Sequence, residues 1–150
     1  MNESQLIAPC GVYCGVCPQM VAHRNDDDRL KGKLAAMYGL KPDDIVCEGC
    51  NSSNPFVFCT SCAIKSCVQE KDIESCAECE GFPCQTIDSF PVAKFVEKIK
   101  WDVRYRREEG KDAWIKKTLD MNTCPECETL NHWVAKSCIR CRTQLPERYE

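Results

Sequence analysis

Eight cysteines fall within the thirty-eight residues from Cys47 to Cys84, and no other feature of the chain restricts its fold as strongly. They run Cys47-Glu-Gly-Cys50, Cys59-Thr-Ser-Cys62, Cys67, Cys76-Ala-Glu-Cys79 and Cys84. Two thiols separated by two residues can close on one metal ion, because the turn between them points both sulfurs the same way. Three such pairs in succession read as metal ligands. The competing reading is a disulfide framework, and the N-terminus argues against it. Met1 to Pro9 has neither a basic start nor an apolar run of signal-peptide length. No later stretch is long enough to span a membrane. The expectation is a reducing cytoplasm, where close thiol pairs bind metal. The total of 15 cysteines is odd, so disulfides alone would leave one thiol over.

Apolar burial is in short supply. Leu, Ile, Val and Phe together number 30 of 150 residues, at the lower edge of ordinary globular composition. A structural zinc ion can contribute roughly 10–16 kcal/mol of apparent binding free energy, comparable with the ~5–15 kcal/mol net stability of a domain. The expected fold is therefore a small, metal-stabilised, cysteine-rich domain of helices and irregular loops with zinc knuckles, ending in a four-cysteine zinc-ribbon hairpin.

Taken in order, the chain divides into three parts: a cysteine-rich metal-binding domain over 1–90, a helical arm over 91–120 and a zinc ribbon over 121–150. The first opens with Cys10-Gly-Val-Tyr-Cys14-Gly-Val-Cys17-Pro18, whose glycines suit tight turns and whose proline suits the first position of a helix. From Pro18 to Tyr38 a helical stripe of Met20, Val21, Leu30, Leu34 and Met37 is interrupted at Asn25–Asp28, leaving one helix with a loop or two helices. The acid cluster there reads as a solvated face or a helix cap. Gly39 and Pro42 supply a stop. Thr86 to Leu119 reads as helix, broken at Gly110.

Charge shifts along the chain. Residues 1–90 hold 7 basic and 13 acidic groups, and residues 91–120 hold 9 and 6. The arm's Lys94, Lys98, Arg104, Arg106, Arg107, Lys116 and Lys117 could contact nucleic acid or an acidic protein, although interleaved acids favour a merely solvated face. The sequence identifies no partner: a protein could bind, nucleic acid is weakly supported, and no membrane is expected.

The last part is the most specific local signal: Cys124-Pro-Glu-Cys127, ten residues, then Cys138-Ile-Arg-Cys141. Two knuckles supply four thiolates for a closed tetrahedral zinc site. Glycine often follows each knuckle, and Glu128 and Arg142 stand there instead. His132 and Trp133 lie at the hairpin tip, and His132 reads as a surface or packing residue.

The motifs Cys10-Gly-Val-Tyr-Cys14-Gly-Val-Cys17-Pro, Cys47-Glu-Gly-Cys50, Cys62-Ala-Ile-Lys-Ser-Cys67 and Cys76-Ala-Glu-Cys79-Glu-Gly-Phe-Pro-Cys84, in that order, resemble the cysteine-rich prokaryotic domain of unknown function 3795. The resemblance covers roughly residues 6–100, and its tail resembles members that continue through a Gly-containing helix, here Glu109–Trp114, into a zinc ribbon. It implies metal binding through the matching cysteines and no particular reaction.

Outside the ribbon there remain eleven cysteines: Cys10, Cys14, Cys17, Cys47, Cys50, Cys59, Cys62, Cys67, Cys76, Cys79 and Cys84. Eleven does not divide into four-thiolate sites. Two zinc ions would use eight, and a third centre could take three thiols with His23 as a fourth ligand, although His23 reads better as a solvent-facing helix residue. Three or more zinc ions are expected in all. An iron–sulfur cluster in the 10–84 region is the alternative, since thiolates at these spacings accept it as readily. Cys10-x-x-x-Cys14-x-x-Cys17 has the spacing of radical enzymes that use S-adenosylmethionine, but the strand–helix repeats of their barrel are missing from the sequence. No His-Glu-x-x-His motif, cysteine–histidine signature or phosphate loop occurs. The sequence therefore points to a metal-held interaction scaffold rather than an enzyme, with a redox or metal-handling role for the N-terminal thiols as the alternative.

Overall fold

The computed structural model describes residues 3–149. Among these residues six α-helices are joined by short 3-10 turns and irregular loops: α1 Pro18–Arg24, α2 Asp28–Tyr38, α3 Ala63–Glu70, α4 Gln85–Asp88, α5 Ala93–Glu109 and α6 Lys111–Asn122. Among the described residues β pairing is limited to three isolated bridges.

The interruption at Asn25–Asp28 makes two helices. Pro18 starts α1, where its missing N–H costs nothing. Asp27 is the N-cap of α2, its Oδ1 accepting from Leu30 N at 3.0 Å, so part of the acid cluster is a cap. Gly39 ends α2 in the left-handed region at φ 69°, and the N–H of Leu40 returns to Ala35 O at 2.9 Å. The expected helix over 86–119 is three helices. Ser89–Val92 separates the short α4 from α5, and Gly110, at φ 95° and ψ 163°, turns the chain between α5 and α6, which pack on each other.

Among the described residues three apolar clusters form the core, the least of them Cys124, Ala135, Cys138 and Leu145 within the C-terminal knuckles. The largest sets Val12, Met20, Leu34, Ile45, Phe56, Ile64, Ile87, Val96, Ile99 and Val103 around several of the cysteine loops. The second contains Ile7, Tyr13, Val16, Trp114, Ile115 and Trp133, so residues of all three expected parts meet in it. One close approach joins α5 to the first cysteine loop. Gly11 sits at φ 102°, and a Cβ there would lie 2.8 Å from Val103 Cγ2.

The arm is not a freely solvated basic face. Lys98 and Asp102 pair with both side chains fully buried. Arg106 donates to Glu74 Oε1 at 2.7 Å, and Arg107 donates to the carbonyls of Ala77 and Cys79. Arg104, Lys94, Lys116 and Lys117 remain exposed. No helix among the described residues is long and apolar enough to cross a membrane.

Candidate metal centres

The C-terminal knuckles are built twice from the same local chemistry. In each, the N–H of the first cysteine donates to the carbonyl of the threonine five residues on, from Cys124 to Thr129 at 2.9 Å and from Cys138 to Thr143 at 2.8 Å. The residue after the second cysteine closes the turn, Glu128 N to Cys124 O at 3.0 Å and Arg142 N to Cys138 O at 3.1 Å. To do so Glu128 and Arg142 take φ values of 62° and 67°, the left-handed conformation that glycine adopts without strain. Bridges pair Thr123 with Leu130 and Ser137 with Gln144, so each knuckle closes on itself rather than pairing across the ten-residue spacer.

The result brings Sγ of Cys124, Cys127, Cys138 and Cys141 within 4.8 Å of one another, a group that could hold a metal ion. Cys124 and Cys141 are 3.5 Å apart, and Cys127 and Cys138 are 3.6 Å apart. Backbone N–H groups aim at two of these sulfurs, Glu126 N to Cys124 Sγ at 3.4 Å and Arg140 N to Cys138 Sγ at 3.5 Å. Burial raises the Cys138 thiol, but the N–H groups of Cys141 and Arg140, with Asn131 and Cys127, outweigh it and hold the thiol down to about 6. Such donors favour the thiolate, which is the form that ligates metal. Asn131, fully buried, ties the knuckles together: its Oδ1 accepts from Ile139 N at 2.8 Å and its Nδ2 donates to Thr129 O at 3.0 Å.

The spacer docks onto the N-terminal part. Trp133 N donates to Val16 O at 3.0 Å, and His132 and Trp133 are both buried. His132 Nδ1 and Trp133 Nε1 are buried without a hydrogen-bond partner. Burial, together with the positive Arg148 and Lys33, lowers the His132 imidazole to about 4 and keeps it neutral. His132 thus packs; it does not lie on the surface.

His132, Trp133 and Val134 form part of the wall of a cavity of about 700 Å³. Seven thiols line it as well: Cys10, Cys14, Cys17, Cys47, Cys50, Cys59 and Cys62. The neighbouring Cys14, then burial, pushes the Cys50 thiol up, and Cys50, then burial, pushes up that of Cys59. Burial raises the Cys10 and Cys17 thiols strongly, while an N–H two residues on, from Val12 and from Gln19, acts in the opposite sense. Cys47 receives the same kind of bond from Gly49.

The other four thiols, Cys67, Cys76, Cys79 and Cys84, lie outside this wall. The Lys71 ammonium is 3.3 Å from Cys79 Sγ and, with N–H groups of Gly81 and Phe82, lowers that thiol. Burial, then the neighbouring Cys79, Cys84 and Cys67, raises Cys76 to about 11. Among the described residues, no three of the eleven N-terminal thiols come within 4.8 Å of one another, and His23, half-buried on α1, joins no such group. Sequence reasoning did not single out Asn131, Lys71 or the buried Lys98–Asp102 pair. Of these only the last left a signal, the four-residue spacing of opposite charges on a helix.

The chain is a small, helical, cysteine-rich protein whose C-terminal four-thiol group could hold a metal ion. The chain belongs to the DUF3795 family of proteins of unknown function, whose match spans residues 6–89. No curated protein and no solved structure matches it.

Proposed function

We propose that Cys124, Cys127, Cys138 and Cys141 bind one structural zinc ion and that the protein is a metal-held scaffold for interaction with another protein. The observation that carries this reading is the convergence of four sulfurs within 4.8 Å. Four thiolates fill a tetrahedral zinc ion and leave no position open for a substrate, which is the property of a structural site. The site also positions the spacer whose Trp133 enters the core. A protein partner is favoured over nucleic acid because Arg106 and Arg107 are spent on Glu74 and on backbone carbonyls. Among the described residues four large apolar side chains stand exposed as candidates for contact: Met37, Val57, Phe58 and Val92.

The test is zinc content per chain in the full-length protein and in Cys127→Ser/Cys141→Ser. Loss of one zinc ion is the expected result, and equal zinc in both would remove the reading. An iron–sulfur or thiol-based redox role is the second reading, favoured by the seven-thiol cavity. Visible absorbance that bleaches on reduction supports it, and a colourless anaerobic preparation opposes it.

A further inference from the structure

Among the described residues, no carboxylate lines the cavity of about 700 Å³. Its wall carries Lys33, Lys65 and Lys94 but no Asp or Glu, in a chain whose acidic groups outnumber its basic ones by 23 to 20. Lys65 donates to Cys50 O at 2.6 Å. The Lys33 and Lys94 side chains have no hydrogen bond or ion pair among the described residues.

The mouth of the cavity is built by three elements. Lys33 and Met37 stand one turn apart on α2, Phe58 lies in the 3-10 turn Val57–Cys59, and Val92 and Lys94 flank the first residue of α5. All five are exposed and line the cavity. Met37, Phe58 and Val92 are three of the four exposed large apolar side chains, so most of that surface is gathered at one opening. The Phe58 ring is held there by Tyr38 at 5.4 Å and Phe56 at 5.5 Å between ring centres. Behind the mouth, Val12, Leu34, Phe56 and Ile64 carry the lining into the core.

The seven thiols of the wall are spread along it, with no three within 4.8 Å of one another. Spread in this way they extend an aliphatic and aromatic surface as small, weakly polar groups. An apolar cleft of about 300–1,000 Å³ with a few polar groups is the ordinary form of a small-molecule site. Exposed apolar surface gathered at one place and rimmed by charge marks such a site as well. The interior favours an apolar body, and two unpaired ammonium groups at the opening favour a negative head.

We infer that the cavity binds an amphipathic organic anion, with its apolar body among Val12, Leu34, Phe56 and Ile64 and its acidic head at the mouth beside Lys33 and Lys94. The inference goes beyond the scaffold reading and does not rest on it. A partner can meet the outer edges of Met37, Phe58 and Val92 with a small molecule seated behind them.

Titration calorimetry on the full-length protein provides the test, with dodecanoate for an alkyl body and naphthoate for an aromatic one. Each is used at low ionic strength and below its micelle concentration. At least one is expected to saturate at one molecule per chain. The alcohol of the same apolar body is expected to bind about tenfold more weakly, and its quaternary ammonium ion more weakly still. Lys33→Gln/Lys94→Gln changes two exposed side chains and leaves the core intact. It is expected to weaken the anion about tenfold and to leave the alcohol unchanged. Failure of both anions to bind the wild type overturns the proposal. So does an alcohol or a cation that binds as tightly as the anion, or a double variant with wild-type affinity for the anion. A dimer of the ligand-free protein that Phe58→Ser abolishes gives the mouth to a second copy, which also overturns it. Zinc is counted in every sample, so a failed C-terminal site shows as missing zinc and a failed cavity as missing anion.

Discussion

The indole N–H of Trp114 donates to Oδ1 of Asp102 at 2.8 Å, joining α6 to α5 where neither side chain meets solvent. The other carboxylate oxygen of Asp102 takes the Lys98 ammonium, which also lies 4.2 Å from the centre of the Tyr149 ring. Burial pushes the Asp102 carboxyl up, and its two donors oppose that shift. Breaking a buried ion pair from one side leaves the other charge unpaired and costs about 3–5 kcal/mol. Lys98→Met is expected to destabilise by that amount in denaturant unfolding. Lys98→Met/Asp102→Asn, which removes both charges and keeps an acceptor for Trp114, is expected to recover at least half. A double variant no more stable than the single one contradicts this account.

Gly11 is fixed by its backbone and by its neighbour. Gly11→Ala combines strain at φ 102° with a Cβ 2.8 Å from Val103 Cγ2. The expected cost is about 2–3 kcal/mol, measured by the same unfolding assay. Val103→Ala in the Gly11→Ala background relieves the clash alone, so a partial rescue is expected.

Glu128 and Arg142 hold left-handed conformations that cost a non-glycine residue about 1–2 kcal/mol, against about 0.5–1 kcal/mol of extra chain entropy lost by glycine. Glu128→Gly and Arg142→Gly are each expected to raise stability by up to about 1 kcal/mol. Destabilisation by either would show that its side chain contributes contacts outweighing the strain.

His132 gives the protein an acid limb. Its folded-state value, lowered from 6.5 to about 4, means that its contribution is fully present above pH 6.5 and is lost as pH falls towards 4. Between pH 7 and pH 5 the linkage amounts to about 2 kcal/mol. His132→Asn does not titrate there, so the wild type is expected to lose about 2 kcal/mol more than the variant over this interval. Parallel losses would place the imidazole in contact with water.

What was legible in the sequence was whatever depends on near neighbours. The Cys124–Cys127 and Cys138–Cys141 pairs, the stop at Gly39, the break at Gly110 and the cap at Asp27 are each set by a few consecutive residues. Lys98 was not legible, because a lysine four residues before an aspartate looks the same on a solvated helix as in a core. Only the packing of Tyr149 and Trp101 around it decides. The sorting of eleven thiols into seven that line a cavity and four outside it depends on where α3, α4 and the turn at Cys76 come to rest, which the Cys-x-x-Cys spacing does not encode. Glu128 and Arg142 concealed their turns by lacking the glycine that normally marks them.

The claim that metal holds this fold together is tested most directly by withdrawing the metal from the full-length protein with a strong chelator. The signal to follow is the near-ultraviolet circular dichroism of Trp114 and Trp133, which share a core cluster. The signal is expected to collapse in step with metal release and to return when zinc is restored, or iron and sulfide if the metal released is iron. Complete metal release with the aromatic signal and the thermal midpoint unchanged would contradict the account.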